Sequence, residues 1–156
     1  MEAIRSKINE LIVSYQEQLN LYGQVREMGL QEKELIAEGR FSSLLEVLRE
    51  KGELIKAAAD YDEQIAAAQA YIADHLQLEA FSLPRLKQAV SDALGNELAA
   101  LERVIADLVP TLETLEEQER SNEARLSEFL ERTKDPAIQR WRQMRAERAY
   151  GRDRGK

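Results

Sequence analysis

LGNELAALERVIADLVPTLETLEEQERSNEARLSEF, residues 94–129, alternates steps of four and three along one apolar series. The series is Leu94, Leu98, Leu101, Ile105, Leu108, Leu112, Leu115, Glu119, Asn122, Leu126 and Phe129, and nine of these eleven positions are apolar. A repeat of this period puts every member on one stripe of a helix, which winds left-handed against its partners. Pro110 sits between two stripe positions and removes the backbone bond to Ala106, which predicts a continuous but bent helix. Glu119 and Asn122 interrupt the stripe and admit three readings. The bundle ends near Leu115 and both are exposed; or Asn122 sets register inside a core; or the stripe resumes at Leu126, Phe129 and Leu130 as a surface for another protein.

Ahead of this stretch, Ser82-Leu83-Pro84 opens the same third segment, with Ser82 as N-cap and Pro84 in the first turn. Asp135-Pro136 closes it, because a residue before proline avoids the α region. The first segment, from about Glu2 to Glu38, counts Ile4, Ile8, Leu11, Tyr15, Gln18, Tyr22, Val25, Gly29, Glu32 and Ile36 at the same spacing. Seven of those ten are apolar or aromatic. Gly39 ends this helix as the residue that takes positive φ. Ser43-Leu44-Leu45-Glu46 then reads as a capping box that starts a second helix, running to about Leu78. Its expected core is Leu44, Leu48, Ile55, Ala58, Ile65, Ile72 and Leu76. So short a linker sends the second helix back along the first. The expected fold is all-α: an elongated antiparallel bundle of three long helices with coiled-coil packing over residues 1–134, then a short, mobile, basic amphipathic C-terminal helix over residues 135–156.

Composition agrees with this and narrows function. The 156 residues include 7 glycines, 3 prolines and no cysteine, which excludes disulfides and thiolate metal sites. No apolar run approaches the ~20 residues that span a bilayer, and the charged N-terminus predicts neither a signal peptide nor membrane insertion. The net charge of −7 is uneven: residues 1–134 hold 15 Lys/Arg against 26 Asp/Glu, residues 135–156 hold 7 against 3. An acidic body of that size repels phosphate, so nucleic acid is not an expected partner despite the basic end.

No enzymatic chemistry is expected. The chain has no Gly-rich phosphate loop, nucleophile elbow or Cys/His pair. His75 and Glu79 lie one helical turn apart, but two ligands are too few for a metal site, and a solvated His–Glu pair accounts for them. No cofactor or metal is expected. In the tail, Ile138, Trp141 and Met144 recur at helical spacing among Arg140, Arg142 and Arg148. That pattern suits a peptide whose helix docks in a partner's groove through Trp141 and Met144. The alternative is that Trp141 folds back as a cap on the bundle.

Leu35-Ile36-Ala37-Glu38-Gly39-Arg40-Phe41-Ser42-Ser43-Leu44, followed by Leu48, Lys51 and Leu54-Ile55, resembles the first hairpin of bacterial flagellar export chaperones of the FlgN type. Leu101, Leu108, Leu115 and Asn122-Glu123-Ala124-Arg125-Leu126 resemble that family's long helix, and Ala149-Tyr150-Gly151 with the residues to Gly155 resembles its tyrosine-plus-glycine tail. The related FliT-type chaperones share the look of the first hairpin, and Pro110 departs from a straight third helix. The resemblance implies a cytoplasmic, non-enzymatic chaperone that holds hook–filament junction (hook-associated) proteins, prevents their premature assembly and delivers them to the type III export gate. It also implies client binding by Leu126, Phe129, Leu130, Ile138, Trp141 and Met144, and docking on the export apparatus by Tyr150. The alternative from the residues alone is a coiled-coil adaptor or scaffold acting as a homo-oligomer, in the simplest case a homodimer.

Overall fold

The computed structural model describes residues 1–90, 92–133, 136, 139–144 and 147. Among the described residues five α-helices run up to Arg132, residues 139–144 are helical as well, and no strand occurs. The first, α1, spans Glu2–Glu38, the limits expected from its stripe. Gly39 ends it at φ 69°, with its N–H donating to the Ile36 carbonyl and that of Arg40 to Leu35. This is the paired closure that a left-handed glycine allows at a helix end.

Helix α2, Phe41–Ala59, begins two residues before the expected capping box. No side chain caps it, and the Leu44 amide already bonds the Arg40 carbonyl, so Ser43 lies inside the first turn. The closure around Gly39 uses so little chain that the next helix starts at once. The single second helix expected to Leu78 is in fact two, because α3 spans Asp62–His75. The cause comes from α1. Gln18, buried there, donates its side-chain amide to the Ala58 carbonyl (2.9 Å) and to Asp62 Oδ1 (2.8 Å). Ala58 is thereby engaged from outside, and Tyr61 bonds it in the tighter three-residue pattern (3.2 Å). Past His75, Gln77 adopts φ 55° and Leu78 bonds back to Ala73, a second left-handed closure.

The third segment is also divided. Helix α4, Leu83–Val90, starts as expected, with the Arg85 amide donating to Ser82 Oγ (3.3 Å). A turn precedes α5, Gly95–Arg132, which is continuous through Pro110. Proline is tolerated because Ala106 and Pro110 both face solvent, where water can take the released carbonyl. Helices α2 and α3 return along α1, while α5 runs beside α1 in the same direction. The marks of that register are Arg5 with Glu97 (3.0 Å), Gln118 with the Arg26 carbonyl (3.0 Å) and Asn122 with the Gly29 carbonyl (2.9 Å). Because α2 and α5 pack mainly along α1 rather than along each other, Ile55 and Leu112 remain exposed, contrary to their place in the expected stripes.

Two apolar cores result. The larger joins Ile4, Ile8 and Leu11 of α1 to Ile65 and Ile72 of α3, Leu86 of α4, and Leu94, Leu101 and Val104 around α5. The smaller, distal core joins Ile36, Leu44, Leu126 and Leu130, covered by Phe41, Leu48, Phe129 and Trp141. Between them lies a polar layer. The three polar or small interruptions of the α1 stripe, Gln18, Gly29 and Glu32, are all inside it or at its edge and all buried. A Cβ at Gly29 would overlap the Gln118 side-chain amide, so a larger residue there would push that amide off the Arg26 carbonyl.

Candidate functional site

The distal core gathers most of the residues singled out in the sequence. Leu126 and Leu130 are 1% and 4% exposed, the half-buried Phe129 ring lies over Gly39, and Trp141 packs on Phe41. The Phe41 and Trp141 rings meet edge to face, with centroids 5.4 Å apart and an interplanar angle of 81°. Of the two readings of Trp141, the structure has it folded back on the bundle. Gln139 supports this placement by donating to the Thr133 carbonyl (2.7 Å), one turn after α5 has ended at the extended Thr133. Met144 stands apart from this cluster and is 50% exposed, flanked by exposed Arg142 and Gln143. Ile138 and Tyr150 lie outside the described residues.

Leu126 and Leu130 therefore belong to the interior in this arrangement, and neither offers a free face. The reading in which the bundle ends near Leu115 is overturned, since apolar packing continues to Leu130. Asn122 follows the second reading: it is 2% exposed, and its amide fixes α5 on the Gly29 carbonyl. A polar side chain at such a position permits one register and penalises others.

Sequence reasoning missed Lys51. It lies on the stripe Leu44, Val47, Lys51, Leu54, Ala58, and its ammonium bridges Glu32 of α1 (2.6 Å) and Glu119 of α5. The signal was present, since all three helices carry a charged residue at an interior position, with two acids against one base. Burial alone would lower the Lys51 pKa. Hydrogen bonds to Glu119 and Glu32, with their negative charge, outweigh that and hold it above 10.5. Tyr15 and Tyr22 are likewise raised above 10.0, chiefly by burial. In the window from pH 10 to those raised values the folded chain binds more protons than the unfolded one, so stability falls as pH rises. A urea midpoint followed from pH 8 to 11 should drop above about pH 10, and less steeply in a K51M/E32L double variant. A midpoint that stays level through this window contradicts the assignment.

The remaining candidates are structural. His75 stacks on Tyr71 at 3.9 Å and its Nδ1 lies 3.2 Å from the Tyr71 carbonyl oxygen, and no cluster of three metal-ligating side chains occurs among the described residues. No described helix is long and apolar enough to cross a membrane.

No curated protein and no solved structure matches the chain. A family model does, that of the FlgN protein, and the match runs over residues 1–154. It takes in the hairpin around Gly39, the Asn122–Leu126 stretch of α5 and the Trp141 segment alike, and the chain thus belongs to the FlgN family of flagellar export chaperones.

Proposed function

We propose that this chaperone acts in the cytoplasm, binding hook–filament junction proteins, keeping them from assembling early and delivering them to the type III export gate. One observation carries the reading of the site: the apolar residues of the C-terminal half of α5 are covered at their end by Phe41 and Trp141, side chains contributed from elsewhere in the chain. Client binding then falls to Leu126, Phe129, Leu130, Ile138, Trp141 and Met144. Met144 is accessible from the start, while Leu126 and Leu130 come into play once Trp141 leaves Phe41. An amphipathic client segment replaces the covering rings and is held away from its own assembly partners. Tyr150 is the proposed contact with the export apparatus, by its position in the tail alone. The organisation that goes with this is a coiled-coil-packed antiparallel bundle over residues 1–134 and a separate binding tail over residues 135–156. The return of α2 and α3 along α1 supports it.

Removing residues 135–156 is expected to weaken the complex with a hook-associated client by about two orders of magnitude, measured by co-purification and titration calorimetry. Because that deletion also uncovers the distal core, Met144→Asp serves beside it. This exposed position should lose about tenfold in affinity with the unfolding midpoint unchanged. Client binding that survives both changes would sink the site assignment. A tight dimer held through α5, seen by light scattering over a dilution series, would instead support the adaptor reading.

A further inference from the structure

Beyond the polar layer, near the end of α1, α1 and α5 leave a groove of about 360 Å³. Its floor is Ile36, Ala37 and the half-buried Phe129, and its rims are basic: Lys33 on the α1 side, Arg125 and Arg132 on the α5 side. Lys33, Ile36 and Ala37 follow one another at three and one residues. Arg125, Phe129 and Arg132 follow at four and three, so α5 presents an edge about two turns long and α1 one of about one turn. The fourth charged lining residue, Glu128, is already paired with Arg132. Lys33 and Arg125 pair with no carboxylate among the described residues. Lys33 and Arg125 thus flank an apolar floor with no described carboxylate to offset them.

We propose that this groove is a second docking surface, which takes an acidic amphipathic helix of the bound client. An edge of about two turns on α5, faced by about one turn of α1, accepts a short helix lying along it. The occupant sets an apolar side chain on Phe129 and Ala37 and directs carboxylates to Lys33, Arg125 and Arg132. The charge excludes a basic segment, and it selects against this chain's own arginine-rich end. The groove adjoins the Trp141 cluster and shares Ile36 and Phe129 with it, so one client can engage both. The identity of the occupant rests on the chaperone reading; the charge and shape of the groove do not.

The test uses the full chain and two labelled helical peptides, both with leucines at three- and four-residue spacing, one with glutamates between them and one with lysines. Fluorescence anisotropy should show the acidic peptide binding and the basic one not, with affinity falling as salt rises. The exposed double reversal K33E/R125E should weaken the acidic peptide by about tenfold or more and leave the thermal midpoint unchanged. Equal binding of both peptides, absence of binding by the acidic one, or indifference to the reversal overturns the groove. A hook-associated client assayed in parallel separates the two ideas. If its complex forms but is insensitive to K33E/R125E, the groove fails and the chaperone reading stands; if no client binds the unaltered chain, the chaperone reading fails by itself.

Discussion

Replacing Lys51 with alanine is expected to remove about 3–5 kcal/mol of folding stability, the largest effect of any single charged residue in this protein. The side chains of Lys51 and Glu32 are only 6% and 5% exposed, and they meet at 2.6 Å. Without the ammonium, the Glu32 carboxylate is left in a dry interior with no cation, and that uncompensated charge accounts for the loss. Glu119 shares the same lysine but is 46% exposed, so Glu119→Ala should cost no more than about 1 kcal/mol. The apolar double variant K51M/E32L should recover most of the loss, because it removes both desolvation penalties together. Denaturant unfolding monitored by helical circular dichroism reads all three, with a constant m-value confirming that the folded state is preserved. A K51A variant that loses less than about 1 kcal/mol would show the site to be wet and the network merely superficial.

The second large effect is expected in the distal core. Leu126→Ala should cost about 2–5 kcal/mol, through lost burial and the cavity left behind. Leu44→Ala should cost a similar amount, since Leu44 is buried in the same cluster. The two changes together should not add: with a shared cavity, a coupling of about 0.5–3 kcal/mol is expected. Pairing Leu126→Ala with Ile8→Ala should by contrast be additive, because Ile8 belongs to the other core. Additivity of Leu44 with Leu126 would mean that α2 and α5 do not share a core at this end. The same cycle also separates stability from binding, which matters where Leu126 is both buried and assigned to the client.

What could be read in the sequence was local, and what could not was tertiary. The limits of α1 and the left-handed Gly39 follow from a stripe and a cap written in adjacent residues. Ser82 capping α4 is of the same kind. The division between α2 and α3 escaped, because its cause is Gln18, some forty residues away on another helix. The break before α5 escaped because the stripe counted from Leu94 runs smoothly into α5 and hides the turn that precedes it. Ser43 misled for a related reason: a capping motif has value only where a helix actually starts, and the closure at Gly39 started this one earlier. Of the polar residues on the stripes, Asn122 has a register role open to it from its position, while Gln18, Glu32 and Lys51 read only as interruptions. Each turned out to be paired with a group on a different helix. Of the candidate site, helical spacing groups Leu126, Phe129 and Leu130, but neither the packing of Trp141 with them nor their enclosure by Phe41 follows from it.

The clasp that Gln18 places on Ala58 and Asp62 has a mechanical consequence. A continuous helix must be bent to move one of its ends, and bending strains a run of backbone bonds. Here the return limb is already jointed at Asp60–Tyr61, next to a side chain that can let go. A pivot of α2 about that joint would lift Phe41 and Leu44 from α5, and it would also draw Lys51 away from Glu32 and Glu119. Opening the distal end by lifting α2 thus asks for the Lys51 ion pairs and the Leu44 contact as well as the two Gln18 hydrogen bonds, so the arm stays down unless a partner replaces them.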